Sequence, residues 1–163
     1  MNAIELLKTQ HRECNQLFEQ VGDLRGEEDA GEKLDLFNQV ADALAVHARI
    51  EEEIFYPACK RADVEELLRE RLEEHLGAKR LIADMLDMDP GDPQFDAKCH
   101  ELQESVEHHV QFEESELLPK AERFLNARTL EDLGDEMERL ATELEEGEPR
   151  MEVPSETEAA HPI

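Results

Sequence analysis

The sequence predicts an all-α protein: an up-down-up-down four-helix bundle, then a short fifth helix and a disordered C-terminal tail. Three observations carry this. Aromatic residues make up 4% of the chain and Trp is absent, while Ala, Leu, Glu and Arg abound, a composition that favours helix and leaves little for a sheet. Apolar residues recur in alternating steps of three and four through four long segments. The connections between those segments are short, which favours antiparallel neighbours. A chain of 163 residues suits one domain, expected over residues 1–147, with 148–163 as the tail.

The first helix carries Ile4, Leu7, His11, Cys14, Phe18 and Val21 on one face, with Gly22 and Gly26 punctuating its end. After the acidic loop GEEDAG, the second carries Phe37, Val40, Leu44, His47, Glu51, Ile54 and Ala58, with Pro57 near its end. The third stripe is Leu68, Leu72, His75, Lys79, Ile82 and Leu86, stopped by the breaker cluster DPGDP at Asp89 to Pro93. The fourth runs Phe95, Cys99, Leu102, Val106, His109 and Glu113, with Leu117, Ala121 and Phe124 beyond. Thr129 is expected to cap the fifth helix, which turns Leu130, Leu133, Met137, Leu140 and Leu144 inward and ends at Gly147. The remainder, EPRMEVPSETEAAHPI, is acidic, contains proline and has no periodicity.

Charge and cysteine content exclude several classes of function. With 43 acidic against 17 basic residues the net charge is −26, which argues against nucleic acid or an anionic membrane as partner, because phosphate contacts need Lys or Arg. No apolar run approaches a membrane span, and MNAIELLKTQ has neither the basic start nor the cleavage site of a signal peptide, so a cytoplasmic location is expected. Cys14, Cys59 and Cys99 are odd in number and unpaired in spacing, and read as structural thiols in a reducing compartment.

Each of the four seams is interrupted by polar residues of metal-ligand type. His11 lies in the first, His47 and Glu51 in the second, His75 in the third, His109 and Glu113 in the fourth. A His and a Glu four apart share a helix face about 6 Å along the axis and can converge on one point. Burying four imidazoles and two carboxylates without partners costs several kcal/mol per charged group, and a cation in the bundle centre compensates them directly. A metal-free His–Glu ion-pair network is the bland alternative. His108 falls with Ser105 and Phe112, off the stripe, and is assigned to the flank. Glu52, Glu53, Glu114 and Glu116 read as an exposed acidic face, Glu74 as a support only if its helix rotates, and Tyr56 as a packing residue with its hydroxyl bonded.

The segments HARIEEEIFYP (His47–Pro57) and HHVQFEESELLP (His108–Pro119) resemble the two His-x-x-x-Glu motifs of the hemerythrin-like family, the HHE cation-binding domains. A His in the first helix (TQHREC) and one in the third (EEHLGAK) complete the family order over about residues 1 to 125. The resemblance implies a non-haem site of two iron ions joined by an oxo or hydroxo bridge. His11, His47, His75 and His109 would be terminal ligands, and Glu51 and Glu113 bridging carboxylates. The family's oxygen carriers place another His one turn after the third-helix His, where this chain has Lys79. Four imidazoles, two bridging carboxylates and one oxygen bridge leave two open positions on an octahedral pair, where the carriers leave one. Lys79 is expected to run its stem outward to solvent.

The resulting expectation is a di-iron protein that binds or senses a small diatomic or peroxide ligand, namely dioxygen, peroxide or nitric oxide. Turnover of peroxide or nitric oxide by a di-iron enzyme, and iron storage or delivery, stand as alternatives. Manganese and zinc are the other metals that His and carboxylate ligands suit, although so many ligands exceed a tetrahedral zinc site.

Overall fold

In the computed structural model of the chain, residues 1–24 and 27–163 are described, and among them there are helices and turns but no strand. Helix α1 spans Ala3–Gly22 and opens with a reciprocal cap: Asn2 Oδ1 accepts the Glu5 amide at 2.9 Å while Glu5 Oε2 accepts the Asn2 amide at 3.1 Å. A 3₁₀ turn over Glu27–Asp29 leads into α2, Ala30–Ile50, so helix already occupies the end of the expected GEEDAG loop, of which Gly26 lies outside the described residues. Helices α3 (Tyr56–Ala58), α4 (Glu65–Leu86), α5 (Pro93–Phe112), α6 (Leu118–Phe124) and α7 (Ala127–Glu145) follow. Asp92 caps α5 by accepting the Gln94 amide at 2.9 Å, and Pro93 takes the first helical position, where no amide hydrogen is needed.

Between α2 and α3, and again between α5 and α6, the helix widens instead of stopping. Residues Glu51–Phe55 and Glu113–Leu117 form π-helical turns, with Tyr56 N–H donating to Glu51 O and Leu118 N–H to Glu113 O. Each turn is followed by the second residue of an α-helix being proline, Pro57 and Pro119. A proline has no amide hydrogen and its ring collides with the carbonyl four residues back, so the wider turn accommodates it without breaking the helix. The side chain at the head of each wide turn is the buried glutamate, Glu51 or Glu113.

Two apolar clusters fill the bundle, and every long helix of the sequence pattern passes through both. Helix α1 contributes Ile4 and Leu7 to one cluster and Phe18 and Val21 to the other; α2 contributes in the reverse order, with Phe37 and Val40 before Val46 and Ile50. Helix α4 then runs from Leu68 and Leu72 to Ile82 and Met85, and α5 from Phe95 and Leu102 toward Leu117 and Leu118 beyond its end. Successive helices thus meet the two clusters in alternating order. The polar residues of the four seams lie between the clusters. Lys33, buried in α2, reaches Asp96 Oδ1 at 2.8 Å and ties α2 to the start of α5.

Two sequence expectations are corrected. The fifth helix, α7, is not short: it has 19 residues, and its cap is Asn126, whose Oδ1 accepts the Thr129 amide at 2.8 Å. Ala127 and Arg128 are exposed, so the first turn has no apolar stripe by which to be seen. The C-terminal segment is not a disordered tail. Pro149–Glu156 forms a 3₁₀ helix lying across α2 and α4, with Val153 buried against the second cluster. Arg150 clamps Asp42 through its amide (3.0 Å) and Nη1 (3.0 and 3.2 Å), and Arg80 donates to the carbonyls of Thr157 (3.0 Å) and Glu158 (3.3 Å). Pro149 is buried as well, and Ala160 and Ile163 pack partly buried against the first cluster, but these scattered apolar side chains and a few ionic and backbone contacts leave no periodicity in the sequence.

Candidate metal centre

His11, His47, Glu51, His75, His109 and Glu113 are all buried, and the structure brings the six together at one level of the bundle. Two groups of donor atoms form there: His11, His47, Glu51 and Glu113 in one, and Glu51, His75 and His109 in the other, each within a 4.8 Å span. Glu51 belongs to both. The imidazoles pair correspondingly, His11 against His47 and His75 against His109, each with ring centroids 4.8 Å apart. Glu51 Oε1 lies 3.1 Å from Nε2 of both His47 and His75, while Glu113 approaches Nε2 of His11 at 3.2 Å and of His109 at 3.3 Å.

Every one of the four imidazoles turns Nε2 to the centre and Nδ1 outward to an acceptor. His11 Nδ1 meets Glu114 at 2.6 Å, His47 meets Gln10 Oε1 at 2.7 Å, His75 meets Glu52 at 2.8 Å and His109 meets Glu74 at 2.9 Å. With Nδ1 engaged by an outer acceptor, each imidazole aims Nε2 inward, so all four are turned in the direction that a central cation requires of a neutral imidazole. Within the centre, Glu51 Oε2, Glu113 Oε1 and His109 Nε2 are buried without a hydrogen-bond partner. Each such orphan costs about 1–3 kcal/mol. The residues present therefore fit a bound cation, which would answer every orphan at once.

Several of these outer partners depart from the sequence reading. Glu52 is not on an exposed face: it is 2% exposed and bridges His75 and Lys79, accepting from Lys79 Nζ at 3.0 Å. Lys79 does not run out to solvent but is buried at the edge of the site, with Glu156 of the C-terminal segment 3.7 Å away on its other side. Glu114, half-buried, is committed to His11, and Glu74 supports His109 while pairing with Arg71 at 2.6 Å. The glutamates Glu52, Glu74 and Glu114 lie one position beside a seam, and only the meeting of two helices tells them from neighbours such as Glu53 and Glu116, which are exposed. Gln10 carries no signal of its own beyond lying next to His11. Cys14, Cys59 and Cys99 are buried free thiols, as expected, and burial pushes them up to about 12, about 12 and about 11. They stay protonated and supply no thiolate.

Among the described residues, Tyr56 is a central one that the seam pattern passes over. Its hydroxyl is bonded, as expected of a packing tyrosine, but the acceptor is Glu113 Oε2 at 2.6 Å, and the ring stacks on His75 with the hydroxyl 3.4 Å from Nε2. The wide turn at Glu51–Phe55 rotates this position inward, a consequence invisible to a strict three-and-four stripe. Burial, with Glu113 and Glu51 beside it, holds the phenol well above its ordinary value.

The charges in the metal-free protein are tightly interdependent. Burial opposes ionisation of Glu51, yet His47, His109 and His75 outweigh it and hold the carboxyl well below its ordinary value. For Glu113, burial and the Glu51 charge push upward and His109 and His11 pull the value down below normal. Burial disfavours charge on His109, but Glu113, Glu51 and Glu74 raise it well above the ordinary histidine value, and His75 and His11 are raised for similar reasons. A cavity of about 50 Å³ adjoins the centre, lined by His11, His47, His75 and His109 with Lys79 and apolar residues of α2, α4 and α5.

Fold and site together define a class: helical bundles with His and Glu side chains turned into the core where they could hold a cation. The chain belongs to the hemerythrin HHE cation-binding domain family, whose model matches residues 2–121. It is similar to the protein Rv2633c of Mycobacterium tuberculosis, with 27% identity over 138 residues covering 84% of this chain and 83% of that one. It also matches a DNA nickase of Nostoc sp. at 26% identity over 90% of this chain, of which it spans only 41% of the length. Among solved structures, the HHE cation-binding domain-containing homologue of Rv2633c from Mycobacterium kansasii shares the fold, with a TM-score of 0.76 and 22% identity over 96% of this chain and 94% of that one.

Proposed function

We propose that the protein holds two iron ions on His11, His47, Glu51, His75, His109 and Glu113, and binds a small ligand, dioxygen, peroxide or nitric oxide, in the adjoining cavity. The observation that carries this reading is the common orientation of four imidazoles, Nε2 inward and Nδ1 restrained, around two donor groups that share Glu51. The iron pair, when bound, supplies Lewis acidity and one-electron chemistry. The protein's own part is orientation and exclusion. Glu114, Gln10, Glu52 and Glu74 keep the imidazoles from turning, and the two apolar clusters on either side keep bulk water away. Tyr56 donates its hydroxyl hydrogen to Glu113 Oε2 and places a further oxygen beside His75.

The cavity of about 50 Å³ suits a ligand of two or three heavy atoms. The test is metal analysis of protein expressed in iron-replete medium, with its optical spectrum in air and after addition of azide or nitric oxide. Two irons per chain, near-ultraviolet absorption and a change on ligand addition are expected; protein that takes up no iron would end this reading. Steady-state consumption of peroxide or nitric oxide would identify the enzymatic alternative, and rapid iron loss to a weak chelator the storage or delivery alternative. DNA cleavage, borne by the name of the Nostoc relative, is disfavoured by the charge of −26, which repels phosphate.

A further inference from the structure

The cavity beside the metal centre has one wall that the bundle does not supply. Its other lining residues come from α1, α2, α4 and α5, but Val153 reaches it from the C-terminal 3₁₀ helix, alongside His47, His75 and His109. Val153 is 1% exposed. The segment that carries it is fastened on both flanks of the cavity: Arg150 to Asp42 on α2, and Arg80 on α4 to the carbonyls of Thr157 and Glu158. Glu156 adds a longer ion pair with Lys79, whose ammonium also bonds Glu52 behind His75.

We infer that Val153 sets the size limit for ligands at the metal centre, so that the C-terminal segment is part of the binding site. The inference rests on the small-ligand reading above. A β-branched side chain has little rotamer freedom, so Val153 is a wall that does not swing aside as a methionine or leucine could. Val153 lines a cavity of about 50 Å³, in which one carbon atom is a large fraction of the space. Of the residues in this segment, Val153 is the one that lines the cavity, so the wall on this side depends on it.

Iron-loaded, air-oxidised full-length protein tests this with azide and phenol, because each gives a visible charge-transfer band on reaching ferric iron. Wild type is expected to take azide and exclude phenol. Val153→Ala should admit phenol, and Val153→Ile, which adds one methylene to the wall, should weaken azide binding by roughly tenfold, the scale on which an apolar pocket discriminates a single methylene. Iron content should stay unchanged in both. Val64→Ala, a truncation of an equally buried valine in the other cluster, controls for general loosening and should exclude phenol like wild type. The inference is overturned if Val64→Ala admits phenol as readily as Val153→Ala, if Val153→Ala still excludes it, or if Val153→Ile binds azide like wild type. Iron-loaded wild type that binds no azide would instead remove the small-ligand reading on which the inference rests.

Discussion

Glu52 and Glu53 are adjacent in sequence, identical in chemistry and opposite in consequence. Glu53 is exposed and paired with Arg49 one turn back, an arrangement worth about 0.5 kcal/mol or less. Glu52 accepts from both His75 and Lys79 inside the fold. Glu52→Ala should therefore destabilise the metal-free protein by about 3–5 kcal/mol in urea titration, because it strands two buried donors, and should speed iron loss to a chelator. Equal midpoints for Glu52→Ala and Glu53→Ala would refute that role. The titrating groups give a second expectation. In the metal-free protein His11, His75 and His109 are raised above 6.5, so the stability they contribute is complete below that value and is lost as pH rises through their folded-state values. Glu51, Glu52 and Glu113 are lowered below 4.5, so theirs is complete above that value and lost on acidification. Melting temperature of the metal-free protein should peak between those two values and fall toward alkaline pH. Iron loading, which needs neutral imidazoles, should abolish the alkaline fall. A metal-free protein equally stable at pH 6 and pH 9 would contradict the His–Glu couplings.

At the scale of elements, α7 shows how a helix outside the motif-bearing core can still matter to it. It packs on α1 at Gly134, where an added Cβ would meet the backbone of Met1 and Asn2 at the start of α1. Helix propensity alone makes Gly→Ala favourable by about 1 kcal/mol. Here backbone is the obstacle and cannot swing aside like a flexible side chain, so Gly134→Ala should lower the unfolding free energy by about 1–3 kcal/mol. Gly77, with open space around its Cβ position, is the control, and Gly77→Ala should be neutral or stabilising in the same thermal melt. A rise in stability for both would mean that α7 docks loosely.

For the whole molecule, charge and metal act against each other. With a net charge of −26, the folded state repels itself, and moderate sodium chloride should raise the melting temperature of the metal-free protein by screening that repulsion. Bound metal should raise it further because only the folded chain assembles the donors; free metal at a hundredfold excess over its dissociation constant is worth about 2.7 kcal/mol. Differential scanning calorimetry of metal-free and iron-loaded protein at two salt concentrations separates the two effects. Identical midpoints with and without iron would count against a buried site.

Sequence by itself determined the helical class, the four seams and the six residues that interrupt them, because a three-and-four repeat fixes which side chains share a face and a buried polar residue in such a repeat is conspicuous. It also placed Lys79 on the inward stripe, though not its bond to Glu52. Tertiary structure alone decided the rest. Gln10, Glu52, Glu74 and Glu114 became the partners of the four imidazoles because pairs of helices meet at those angles, and a carboxylate at a helix flank looks the same in sequence whether it meets a histidine or water. Tyr56 entered the centre because the π turn before Pro57 shifts the helix phase by a fraction of a turn, which strict periodicity cannot register. The C-terminal segment is ordered by scattered long-range contacts, Val153 in the second cluster, Arg150 with Asp42 on α2, and the Thr157 and Glu158 carbonyls with Arg80 on α4; none repeats along the chain, and α2 and α4 come within reach only in the folded bundle.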